Sequence, residues 1–159
     1  MQHRQAFALA SLALLAACNP FPRKPVTVVN GDVNLNSRWQ ASLVTPSALS
    51  GAVQVNGTAW MQPGVRGEGT RVSLKISNAT PGGLHPWDIR RGQCGADEGE
   101  FRAGVAFKPL KIDDEGRGES YTIVPGEAPT SGNYFVSVYA SAANSGTVVA
   151  CGNLAPPAR

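Results

Sequence analysis

The chain has 159 residues, 42% of them hydrophobic, which sets one domain with a modest single core and room for a tail or two. Fourteen Lys and Arg against eleven Asp and Glu leave a formal charge of +3, and no basic run exceeds two residues. The phosphate-tracking patch of a nucleic-acid binder is therefore missing from the sequence. Eighteen Gly and twelve Pro, with Val and Thr spread throughout, favour short strands joined by turns over helices.

The first eighteen residues differ in character from the rest of the chain. Arg4 precedes an apolar run from Ala6 to Ala17 that stops at Cys18. Twelve residues fall short of the roughly 20 that span a bilayer, so the run predicts an export signal rather than a membrane helix. "LLAAC", residues 14 to 18, resembles the lipobox of bacterial lipoproteins. That resemblance implies a signal peptide over 1–17, lipidation of Cys18 and a stable multi-chain membrane anchor. The competing expectation is an ordinary signal peptide cut at Ala17. Asn19 stands where Asp would signal inner-membrane retention, so the resemblance implies the outer membrane, facing the periplasm.

Removing residues 1–17 takes away Arg4 and leaves thirteen basic against eleven acidic side chains, a formal +2. If Cys18 carries lipid, Cys94 and Cys151 are the remaining cysteines, in a compartment where disulfides persist. They are expected to be joined. Residues 18–37, with three prolines after Cys18 and no sustained alternation, predict a lipidated N-terminus and tether, against the alternative of a first strand at Val26–Val29.

From Trp39 onward short apolar stretches recur about every ten residues. Trp39 to Val44 is the first predicted strand. "GAVQVNGTAWMQ" (51–62) then sets Val53, Val55, Gly57, Ala59 and Met61 on one face, and "TRVSLKIS" (70–77) sets Val72, Leu74 and Ile76 inward. The turn between them predicts a hairpin. In "LHPWDIRRG" (84–92) His85, Trp87 and Ile89 share one parity, Asp88 and Arg90 the other. Further strands are predicted at 105–112, 118–124, 133–140 and 147–154, giving about eight strands and no helix. "DEGE" (97–100) and "DDE" (113–115) read as solvated loops rather than calcium sites. The expected architecture is an all-β Greek-key barrel or sandwich over 38–155, with a C-terminal tail at 156–159.

Three features occur in order: Gly83 before an aromatic strand with His85 and Trp87, Cys94 in the following loop, and a terminal "VVACGNL" (148–154). Together they resemble the Cu/Zn superoxide dismutase family, over roughly residues 39–154. The resemblance implies an eight-stranded Greek-key barrel and a Cys94–Cys151 disulfide that clamps a loop to the last strand. It makes His85 the structural histidine and Trp87 the aromatic core residue. It also puts Asp88 and Arg90 at two copper-ligand positions and Tyr139 at a third, where the family has histidines. The zinc-loop equivalent, "GADEGEFRAG", has no histidine.

Arginine cannot ligate a metal, and redox copper is best served by imidazole. The sequence therefore predicts no catalytic residue, no metal site and no cofactor. If the family's geometry holds, Asp88, Arg90 and Tyr139 meet on the outside of the barrel, as an ion pair filling the ligand space or as a grip for a small anion or partner side chain. No G-x-S-x-G, no phosphate loop and no second mature histidine offers other catalysis. The reading is a membrane-anchored lipoprotein with a non-catalytic binding or envelope-support role. Its alternatives are a superoxide dismutase-related enzyme binding copper or zinc through non-standard ligands, and a subunit of an envelope assembly docking around Trp60, Phe135 and Tyr139. Oligomeric state is left open.

Overall fold

The structure, a computed structural model, describes residues 38–52 and 54–157; the signal segment, Cys18, the tether, Val53 and the last two residues lie outside the described residues. Among the described residues ten strands form. They are β1 (Trp39–Val44), β2 (Asn56–Pro63), β3 (Thr70–Ser77), β4 (Leu84–His85), β5 (Trp87–Gln93), β6 (Ala96–Glu100), β7 (Leu110–Lys111), β8 (Gly118–Val124), β9 (Tyr134–Tyr139) and β10 (Val148–Asn153). Eight of them build one antiparallel sheet in the order β6-β5-β9-β10-β1-β2-β3-β8, and β4 pairs with β7 apart from it. Two single 3-10 turns, Ser47–Leu49 and Val65–Gly67, are the only helical elements among the described residues.

Period-two alternation writes the core directly. Antiparallel register sets Leu43 beside Gly57 and Gly57 beside Ile76, then Ala41, Ala59 and Leu74, then Trp39, Met61 and Val72. The apolar side chains of each row are buried on the inner face. On the other half of the sheet Trp87 pairs with Val138 and Ile89 with Val136, again inward. Each large apolar side chain buried in this way contributes about 1.5–3 kcal/mol of transfer free energy.

The sheet curls until its second strand and its last approach the same backbone group. The carbonyl of Lys108 accepts from Trp87 Nε1 on β5 at 2.7 Å and from Ser120 Oγ on β8 at 2.8 Å. This carbonyl holds the segment between β6 and β8 across the open side, where Leu110 and Ile112 complete the core. Phe107 packs edge-on against Trp87, with ring centroids 4.8 Å apart. The Cys94–Cys151 disulfide links the β5–β6 turn to β10, across the intervening β9. Its sequence separation of 57 residues corresponds to about 4 kcal/mol in the chain-entropy view.

Four expectations change. The strand predicted from residue 51 begins only at Asn56, because the Val55 carbonyl accepts from Thr45 Oγ1 at 3.1 Å. Pro86, lacking an N–H, divides the stretch at 84–92 into β4 and β5. The strand expected over 105–112 shrinks to Leu110–Lys111, since Pro109 cannot donate and the Lys108 carbonyl is taken by side chains. Residues 97–100, expected as loop, lie in β6, paired to β5 through a two-residue Cys94–Gly95 turn with Gly95 at φ 86°.

Replacing Trp87 by Phe keeps most of the ring volume and removes the indole N–H from Lys108. Denaturant unfolding should show a loss of about 1–2 kcal/mol, part of it unmatched by the remaining Ser120 bond. Unchanged stability would contradict the bridging role of that carbonyl.

Candidate binding face on the outer side of the sheet

On β5 the residues that alternate with the buried Trp87 and Ile89 point outward, which brings Asp88 and Arg90 to the outer face. Register places Asp88 beside Ser137 and Arg90 beside Phe135, both on the outer face of β9. Ser137 in turn pairs with Cys151 and Cys151 with Val44. A cross-sheet row of four outward residues results.

The polar side chains of this face meet. Tyr139 donates its hydroxyl to Asp88 Oδ1 at 3.0 Å, and Arg90 Nη1 donates to Asp88 Oδ2, also at 3.0 Å. Arg90 Nε donates to Asp97 Oδ2 on β6 at 2.6 Å. One guanidinium thus serves two carboxylates, and both Asp88 oxygens are engaged.

Burial pushes the Asp88 carboxyl above its ordinary value of 3.8, although hydrogen bonds from Arg90 and Tyr139 pull it back. Tyr139 is pushed up to about 12, first by burial and then by the Asp88 charge. Asp97 is lowered, chiefly by the Gly99 backbone N–H on its Oδ1 and then by Arg90. For Arg90, burial opposes the charge, but hydrogen bonds to the two carboxylates outweigh it and raise the pKa. The guanidinium is permanently charged.

His85 belongs to the opposite side. Its ring is buried, and Nδ1 donates to the Tyr139 carbonyl at 2.9 Å, while Nε2 has no partner. That nitrogen sits 2.9 Å from where a side chain on Gly83 would begin, so glycine there makes room for the ring. Tyr139 is therefore held twice: its main chain by His85 and by Pro86, whose carbonyl accepts the Tyr139 N–H at 2.8 Å, and its hydroxyl by Asp88.

The donor set does not fit copper or zinc. Arg90 offers no lone pair, its charge sits against Asp88 where a cation would have to bind, and the only described imidazole faces inward. Among the described residues no group of three or more His, Cys, Asp or Glu is arranged to hold a metal ion. The second acidic stretch is likewise self-contained: Asp113 accepts from the Glu115 and Arg117 backbone N–H groups and from Arg117 Nε.

Two residues stand elsewhere than a docking surface around Trp60, Phe135 and Tyr139 requires. Phe135 is 3% exposed, lining the same cleft as Cys94 and Arg90. Trp60 lies three strands away from β9, under Arg38, whose guanidinium carbon is 4.6 Å from the ring centroid. Asp97 is the member of the network that sequence reading places in a solvated loop. The available signal is the Cys94–Gly95 turn, whose two-residue length folds residues 96–100 back onto β5.

Neither a scan of protein-family models nor a search of curated proteins matches this chain.

The raised Asp88 carboxyl carries a definite sign. Its folded-state pKa lies above the unfolded one, so its contribution is fully present below 3.8 and is lost as pH rises through the folded value. Asp88→Asn should therefore gain stability relative to the parent as pH increases across that window, measured by chemical unfolding at each pH. A variant that instead loses relative stability over the same interval would contradict the burial-dominated assignment.

Proposed function

We propose that this chain is a lipid-anchored envelope protein whose superoxide dismutase-like Greek-key barrel serves a non-catalytic binding or supporting role. The anchor is Cys18, and the outer membrane facing the periplasm is its location. Support for the barrel reading comes from the strand order, in which β1 and β10 meet mid-sheet while the β3–β5 and β6–β8 connections cross between its distant parts. The Cys94–Cys151 bridge from turn to final strand supports it further.

The observation that carries the non-catalytic reading is the occupation of Asp88. Dismutation requires a metal that gains and loses an electron while its ligands stay in place. At the corresponding positions a carboxylate accepts from a phenol and a guanidinium, and the guanidinium spans to Asp97. These hydrogen bonds tie Asp88, Tyr139, Arg90 and Asp97 to one another, with no imidazole among them.

Superoxide scavenging by the purified full chain, assayed with added copper and zinc, should not exceed that of the free ions. Replacing the three positions together, Asp88→His, Arg90→His and Tyr139→His, should raise copper(II) affinity by at least about 100-fold if the three outward positions converge as the resemblance requires. Scavenging by the parent chain would overturn the non-catalytic role. An unchanged affinity in the folded triple variant would overturn the superoxide dismutase-like assignment.

A further inference from the structure

β9 is buried on both faces, although only one face of the sheet looks onto the core: Phe135 and Ser137 point outward at 3% and 2% exposure. Their cover comes from two sides. The disulfide draws the Cys94–Gly95 turn across β9 toward β10, and the chain leaving β1 passes through Pro46 and Ser47. A cleft of about 550 Å³ lies between these walls. That volume falls within the range of small-molecule sites, which combine an apolar lining with a few polar groups.

The cleft has two chemically distinct ends. Its body is apolar, formed by Val44, Pro46, Phe135, Val148 and the disulfide sulfurs. Its polar end is Arg90, Asp97 and Tyr139. Asp88 and Asp97 together outnumber Arg90, leaving one net negative charge. Arg91 turns away to the Glu98 carbonyl at 3.2 Å. An incoming anion would meet a guanidinium already holding two carboxylates. A cation meets Asp97, whose oxygens each retain a second lone pair and which its neighbours keep ionised at neutral pH.

We propose that this cleft binds a small molecule with an apolar, ring-sized body and a protonated amine, the amine at Asp97 and the body over Phe135 and Val148. The inference deepens the binding role above and rests on a metal-free outer face. Ser137, whose Oγ is 3.9 Å from Cys151 Sγ, is among the residues that line the cleft.

Three probes of one shape and different charge decide it: benzylammonium, benzyl alcohol and benzoate, titrated into the isotope-labelled full chain and followed by amide NMR. Benzylammonium should bind tightest and shift the amides of Gly95, Asp97, Ser137 and Tyr139. Benzyl alcohol should bind about tenfold more weakly and benzoate weaker still. Asp97→Asn should reduce benzylammonium to the level of the alcohol while leaving the alcohol unchanged, and Ser47→Lys on the opposite wall should do the same. Benzoate binding as well as benzylammonium, shifts confined to other residues, insensitivity to both variants, or no binding would each overturn the proposal. The titration is run on untreated and on chelator-dialysed protein. Copper in the untreated sample would sink the metal-free reading, whereas the probe order in the dialysed sample judges the cleft alone.

Discussion

A curled sheet whose two edge strands do not pair with each other has to close its core by other means. Here the two crossing connections pair with each other as β4 and β7, and the carbonyl oxygen of Lys108 accepts from Trp87 on one half of the sheet and from Ser120 on the other. With that oxygen held, the connection from β6 to β8 must lie across the opening, and Leu110 and Ile112 have nowhere to go but inward. Trp87, fixed by its own hydrogen bond, then sets the orientation of β5, whose alternate residues carry the outer network. Core closure and surface chemistry are therefore consequences of the same strand.

The outer network obeys a second constraint, that a carboxylate removed from water has to be matched. Asp88 is shielded enough for burial to dominate its proton affinity, and Arg90 and Tyr139 answer its two oxygens separately. Arg90 is in turn kept in place by Asp97, which the β5–β6 hairpin delivers and the disulfide ties down. Partly buried pairs of this kind add little to net stability, because desolvation offsets most of the attraction. Their effect is geometric: they fix the polar end of a cleft whose remaining walls are apolar.

Much of the inner face was legible in the sequence because it depends on parity alone. Val72, Leu74 and Ile76, and His85, Trp87 and Ile89, alternate with polar residues, and the structure buries each of them. Cys94 and Cys151 could be paired because lipidation of Cys18 would leave no other partner. The outer face was less legible. β6 contains no apolar pattern, since an edge strand of Asp97, Glu98 and Glu100 is solvated along its length, so its strand character comes only from the two-residue turn before it. The stretch at 105–112 reads as a strand by composition, but Pro109 and the capture of the Lys108 carbonyl by side chains override that pattern. Phe135, expected on a docking face with Trp60 and Tyr139, does point outward, but the turn tied down by the disulfide leaves it 3% exposed.

On the proposed superoxide dismutase-like reading, the positions of the metal ligands carry side chains that hydrogen-bond to one another instead. Copper and zinc content of the protein purified from its native envelope tests this most directly, by elemental mass spectrometry against amino-acid quantification. The expected result is far less than one atom of either metal per chain. One copper bound per chain would contradict the account, since it would require Asp88 or Tyr139 to abandon the hydrogen bonds that organise the outer face.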